Sequence, residues 1–93
     1  MSQTASAVVT VANKLGLHAR PATLFVQTAA TAEADITVRR TDQKETVDGK
    51  SIMQMMMLAA TKGTKIEITA RGSDARDAVA TLVKLVKSGF EEE

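Results

Sequence analysis

Ninety-three residues, 44% of them hydrophobic, make one small domain spanning residues 1–93, near the lower size at which a core holds itself together without disulfides or metal. Zero cysteines exclude disulfides and thiolate metal sites; with no basic n-region before an apolar leader, and no apolar run near the roughly 18 residues of a membrane span, the chain reads as cytoplasmic and not membrane-bound. Twelve Lys+Arg against eleven Asp+Glu leave +1, and two Phe with no Trp or Tyr give almost nothing for stacking bases, so nucleic acid is disfavoured as a partner.

In chain order, the alternation of Ala7, Val9 and Val11 against Val8 and Thr10 predicts a half-buried strand. Asn13 to Leu17 then turns the chain into "NKLGLHARPA", which holds the only histidine and the only proline. Ala22, Phe25, Val26 and Ala29 recur at spacings of three and four, the stripe of an amphipathic helix that starts near His18. "ADITVRR" alternates again, Ile36 and Val38 on one face, and "TDQKETV" turns back into a short charged segment suited to an edge strand, so the pair reads as a hairpin. After "DGKS", the stretch "IMQMMMLAATKG" predicts a short helix with Ser51 as N-cap and Gly63 as its end signal. "TKIEITARG" is a further strand with Ile66, Ile68 and Ala70 inward. Ser73 or Asp74 caps a last helix whose stripe is Ala75, Ala78, Val79, Leu82, Val83 and Val86, and Gly89 ends it before the acidic tail. The order is βαββαβα. One apolar face per strand and one stripe per long helix predict an α+β domain, a single sheet covered on one side by helices.

Pro21 locates the start of the first helix, because proline is tolerated only in the first turn, where its missing N–H has no intrahelical partner. With Ala19 as N1, His18 is the N-cap. Its Nδ1 then sits about where the Oδ1 of a capping Asn would, facing free backbone N–H groups, and the positive end of the helix dipole favours an anion there. A phosphoryl group on Nδ1 would meet the N–H groups of Ala19 and Arg20 and the fork-shaped guanidinium of Arg20. A lone histidine at a helix start more often serves simply as a polar cap. Transition-metal ligation is disfavoured, since there is no second histidine, no cysteine and no carboxylate near the motif. A hydrolase triad would need a nucleophile and an orienting acid that the pattern does not place.

From Ile52 through Ala60 no side chain is charged. A helix lying on a sheet buries one stripe, so Met55 and Leu58 with Ala59 face the core, while Ile52, Met53 and Met56 form an opposite, exposed set. Core filling by flexible methionines accounts for the first half. For the second, methionine is also the side chain of surfaces that adapt to several partners.

"LGLHARPATLFV" resembles the active-centre signature of the HPr family, the histidine-containing phosphocarriers of the bacterial phosphoenolpyruvate-dependent phosphotransferase system, and "DGKSIM" followed by "KGT" is similar to that family's second motif. The resemblance spans nearly the whole chain. It implies an open-faced β-sandwich, a four-stranded antiparallel sheet with three helices on one face. It implies that His18 is phosphorylated through Nδ1, that Arg20 assists transfer, and that no metal or cofactor is held. The implied partners are the first enzyme of the system, as donor, and A-type sugar-specific components, as acceptors, met by a monomer through apolar residues of the second helix, here Ile52, Met53 and Met56. Ser51 matches the serine that an HPr serine kinase/phosphorylase modifies in many bacteria; phosphate there suits the helix N-terminus but sets negative charge beside the apolar patch.

The chain departs from the pattern in three places. Gln54 and Ala59 stand where many relatives have glycine, and the turn between Arg39 and Lys50 is longer than in common relatives. The ending "SGFEEE" resembles the nitrogen-branch paralogue, whereas "DGKSIM" leans toward the sugar branch. The competing reading is therefore a mainly regulatory HPr-like binding module of an incomplete or nitrogen-branch system; His18 argues against a purely regulatory form, since such relatives replace the histidine.

Overall fold

A computed structural model describes residues 3–91. Its elements are β1 (Gln3–Thr10), α1 (Ala19–Ala30), β2 (Asp35–Arg40), β3 (Val47–Asp48), α2 (Ile52–Met57), β4 (Lys65–Gly72) and α3 (Ala75–Lys87), followed by a 3₁₀ turn at Gly89–Glu91. This is the predicted βαββαβα order. The strands form one antiparallel sheet in the order β1-β4-β2-β3, and the helices cover one face, giving the open-faced α+β sandwich. The acidic tail beyond residue 91 lies outside the described residues.

Strand pairing carries the alternation of the sequence into one apolar layer. Val9 lies opposite Ile66, Val38 opposite Ile68, and Ile36 opposite Ala70, and all six are buried. Because side chains alternate with period two, this register places the whole set on the helix side. Against it pack Ala22, Phe25 and Ala29 of α1 and Ala75, Ala78, Val79, Leu82 and Val86 of α3, with Val26 and Val83 half-buried at the margin. The other face is wet, with the Ser6 and Thr69 hydroxyls 3.0 Å apart across β1 and β4. The charged segment after the long turn does form an edge strand, only two residues long, a length that offers little to a strand from another chain.

The second helix ends earlier than Gly63, the expected stop. It closes at Met57 with Leu58 as C-cap, and Ala59 takes the left-handed conformation (φ +52°) that glycine usually supplies after a helix. That turn also reverses the expected burial. Ala59 is exposed and Ala60 goes into the core in its place, next to Leu58 and Met55. Gly63 instead shapes the turn before β4, where its N–H donates to the Val11 carbonyl at 2.8 Å.

Asp74 is the N-cap residue of α3, but its carboxylate makes no capping bond. Its two oxygens accept the N–H groups of Glu33 and Ala34, each at 2.9 Å, and so fasten the entry of β2 to the start of α3. The Glu33 N–H above all, then that of Ala34, holds this carboxyl below the usual carboxylate range against its partial desolvation, with Lys50 assisting. A folded-state pKa depressed in this way stabilises the fold above the unfolded value, and that contribution disappears as pH falls through the folded one. Asp74→Asn is accordingly expected to melt below the parent at pH 7, with the gap narrowing on acidification below about pH 4. Thermal melts across that range check this, and a gap independent of pH counts against it.

Candidate functional site

The loop between β1 and α1 is held at both ends. Asn13, buried, donates its Nδ2 to the Gly16 carbonyl at 2.7 Å, and the Gly16 N–H returns to the Asn13 carbonyl at 3.2 Å. Gly16 adopts φ +72°, and a Cβ there would run into the backbone of Ala60 and lie 2.8 Å from the Thr61 Cα, so the close approach requires glycine twice over. Leu17, buried, donates its N–H to the Ala60 carbonyl at 2.8 Å. The chain that follows α2 therefore forms one wall of the loop.

His18 comes next, at φ −79° and ψ −170°, the extended geometry of an N-cap, with its N–H on the Gly16 carbonyl at 3.0 Å and its carbonyl accepting from Ala22 at 3.0 Å. The expected position is correct. The expected capping bond from the ring is not made. An N-cap side chain accepts from the N–H of N2 or N3; here N3 is Pro21, which has none, so only the Arg20 N–H at N2 could serve. Ser51 shows the ordinary case, as its Oγ accepts from the N–H of Gln54, the N3 residue of α2, at 3.2 Å. Ala19 and Arg20 occupy N1 and N2, where N–H groups have no acceptor earlier in the helix, and Arg20 is exposed beside the half-buried His18.

At the other end of α2, Gln54 does more than donate to Ser51. Its Oε1 accepts the Asp48 N–H at 2.8 Å, so the non-glycine residue at this position ties the helix entry back to β3. Met55 and Leu58 are buried as expected, and Ile52, Met53 and Met56 are exposed as expected. Three more large apolar side chains among the described residues are exposed: Val8 on β1, Met57 at 75% on the same helix and, in the histidine loop, Leu15 at 70%. The signal for Leu15 was an apolar residue placed inside a turn; for Met57 it was the run of methionines itself, longer than one buried stripe requires. Among the described residues no three His, Cys, Asp or Glu side chains gather where they could hold a metal, and no helix is long and apolar enough to cross a membrane.

The arrangement offers one imidazole at the positive end of a helix, first-turn backbone N–H groups with an exposed arginine next to it in the chain, and an uncharged helix whose following segment, at Ala60, is hydrogen-bonded to the imidazole's loop. Residues 5–88 match the family model described as the PTS HPr component phosphorylation site. The chain is 46% identical over 84 residues to phosphocarrier protein HPr of Pseudomonas putida, covering 90% of this chain and 92% of that one. It is 33% identical over 90 residues to phosphocarrier protein NPr of Escherichia coli K12, covering 97% and 99%. The crystal structure of HPr-C-His from Thermoanaerobacter tengcongensis aligns with a TM-score of 0.89 at 40% identity, covering 96% of this chain and 98% of that one.

Proposed function

The chain belongs to the HPr family of phosphotransferase-system phosphocarriers, and from that premise we propose that it accepts a phosphoryl group on Nδ1 of His18 from the phosphorylated first enzyme and passes it to A-type components. The observation that carries this reading is the seat of His18, the N-cap of α1, next to the first-turn N–H groups of Ala19 and Arg20. A new bond forms from Nδ1 to phosphorus as the bond from phosphorus to the donor breaks, and the same exchange runs outward to the acceptor. The N–H groups of Ala19 and Arg20 and the guanidinium of Arg20 meet the added negative charge. The chain is thus a carrier that relies on positioning and charge stabilisation, and not an enzyme with its own turnover. Ile52, Met53 and Met56 form the docking face, used in the cytoplasm by donor and acceptor in turn, and Ser51 is the regulatory phosphorylation site at its border.

Incubation with phosphoenolpyruvate and the first enzyme is expected to add one phosphoryl group by intact mass, lost on acid treatment. No mass change would overturn the reading. Likeness to NPr over nearly the full chain supports a second form of it, in which the same transfer serves a nitrogen-branch regulatory system; offering the phosphorylated protein to sugar-branch and nitrogen-branch A-type components separates the two. Arg20→Ala is expected to slow transfer about tenfold to a hundredfold, the worth of one charge-assisted hydrogen bond, with an unchanged melt because the side chain is exposed. Rapid-quench transfer kinetics at the parental rate would remove Arg20 from the mechanism.

A further inference from the structure

Arg40 stands where the sheet calls for an apolar residue. It continues the inward row of Ile36 and Val38 on β2, opposite Ile66 of β4, and its side chain is only 21% exposed. A charge at such a position must find partners. Arg40 Nη1 donates to the carbonyls of Leu58 and Ala59, at 3.3 and 3.2 Å, the two residues that close α2. Its Nε and Nη2 donate to the two carboxylate oxygens of Asp42, at 3.0 and 2.9 Å, a two-pronged pair in which Asp42 is 63% exposed. The guanidinium therefore bridges the base of the long turn to the left-handed turn at Ala59, a conformation that alanine adopts only when its surroundings hold it. The next residue, Ala60, is the one whose carbonyl receives the Leu17 N–H, immediately before His18.

We propose that Arg40, oriented by Asp42, is a positioning residue for phosphoryl transfer. By fixing the turn at 58–60 it fixes the Ala60 carbonyl, and through the Leu17 N–H it sets the place of the histidine loop against the start of α1. The entry of α2 is held separately, by Ser51, Gln54 and Asp48, so loss of Arg40 frees the end of the helix beside the histidine and leaves the other end seated. This rests on His18 as the acceptor for its kinetic part, and on the structure alone for its geometric part.

The test uses Arg40→Ala and, because Asp42 is exposed and remote from the core, Asp42→Asn as the variant that keeps the fold. Two quantities are read besides the melt: the exchange rate of the Leu17 amide in the unphosphorylated protein, by NMR, and the split of transfer kinetics into kcat and KM. In Arg40→Ala, Leu17 exchange is expected to rise about tenfold and kcat for acceptance to fall about tenfold, with a smaller change in KM. Asp42→Asn should move both in the same direction by less. A variant that melts lower yet keeps parental Leu17 exchange and parental kcat overturns the proposal, since that is what a merely structural arginine would do. The amide measurement needs no donor, so parental Leu17 exchange in both variants overturns it even where the parent takes up no phosphoryl group, an outcome that by itself would sink the transfer reading instead.

Discussion

Replacing His18 with alanine is expected to abolish acid-labile phosphorylation and leave the fold intact. The chain has no other imidazole to take over, so the expected loss is complete and not partial. Folding should survive because the bonds that set this residue are made by its backbone: its N–H to Gly16 and its carbonyl to Ala22. An N-cap side chain usually contributes about 0.5–2 kcal/mol through its hydrogen bond to the first turn. His18 makes no such capping bond, so that particular contribution is not lost with the ring. The variant and the parent, incubated side by side with phosphoenolpyruvate and the first enzyme, are compared by intact mass before and after acid and by thermal melting. Acid-labile phosphate on the alanine variant would overturn the assignment; a variant that loses phosphate only because it has unfolded would show in the melt.

The parts of this molecule legible in the sequence are those set by local periodicity. Ile66, Ile68 and Ala70 alternate and are buried together; Ala75, Ala78, Val79, Leu82 and Val86 repeat at helical spacing and form the inner stripe of α3. The parts that were not legible depend on residues far along the chain. Local signals made Gly63 the stop of the second helix, but the stop is at Met57, held from β2 by Arg40, 18 positions before Leu58. Asp74 carries the signature of a helix cap, yet its carboxylate serves two N–H groups 40 and 41 positions earlier. No window of adjacent residues contains such contacts. His18 is the instructive middle case: its place followed from one proline, and the same proline, at N3, leaves the Arg20 N–H at N2 as the one that a capping bond could use. The assignment of chemistry to that place came from the two motifs and their spacing.

Ser51→Asp brings two effects of opposite sign to one position. The Ser51 Oγ already accepts from the Gln54 N–H, and an aspartate can keep that bond, being as good an N-cap as serine. Its charge at the helix N-terminus should add about 0.3–1 kcal/mol to the stability of the α2 region. The same charge borders Ile52, Met53 and Met56, of which Met53 is 73% exposed. A partner that closes over this face must strip water from the new carboxylate or meet it with carboxylates of its own, at a cost of a few kcal/mol, where each 1.4 kcal/mol is about a factor of ten in affinity. The histidine loop is joined to the far end of α2, about 9 Å away along a helix of six residues, so the chemistry at His18 should be little changed. The expected result is therefore a melt no lower than that of the parent, together with a rise in KM for the first enzyme of about tenfold to a hundredfold and a nearly parental kcat. That split is the reverse of the one expected for Arg40→Ala, so the two variants measured with the same donor distinguish damage to docking from damage to positioning. A Ser51→Asp variant with parental KM would show that the face beside Ser51 is not where the donor docks, and one that is slow only because it melts lower would show that the charge acts on folding and not on association.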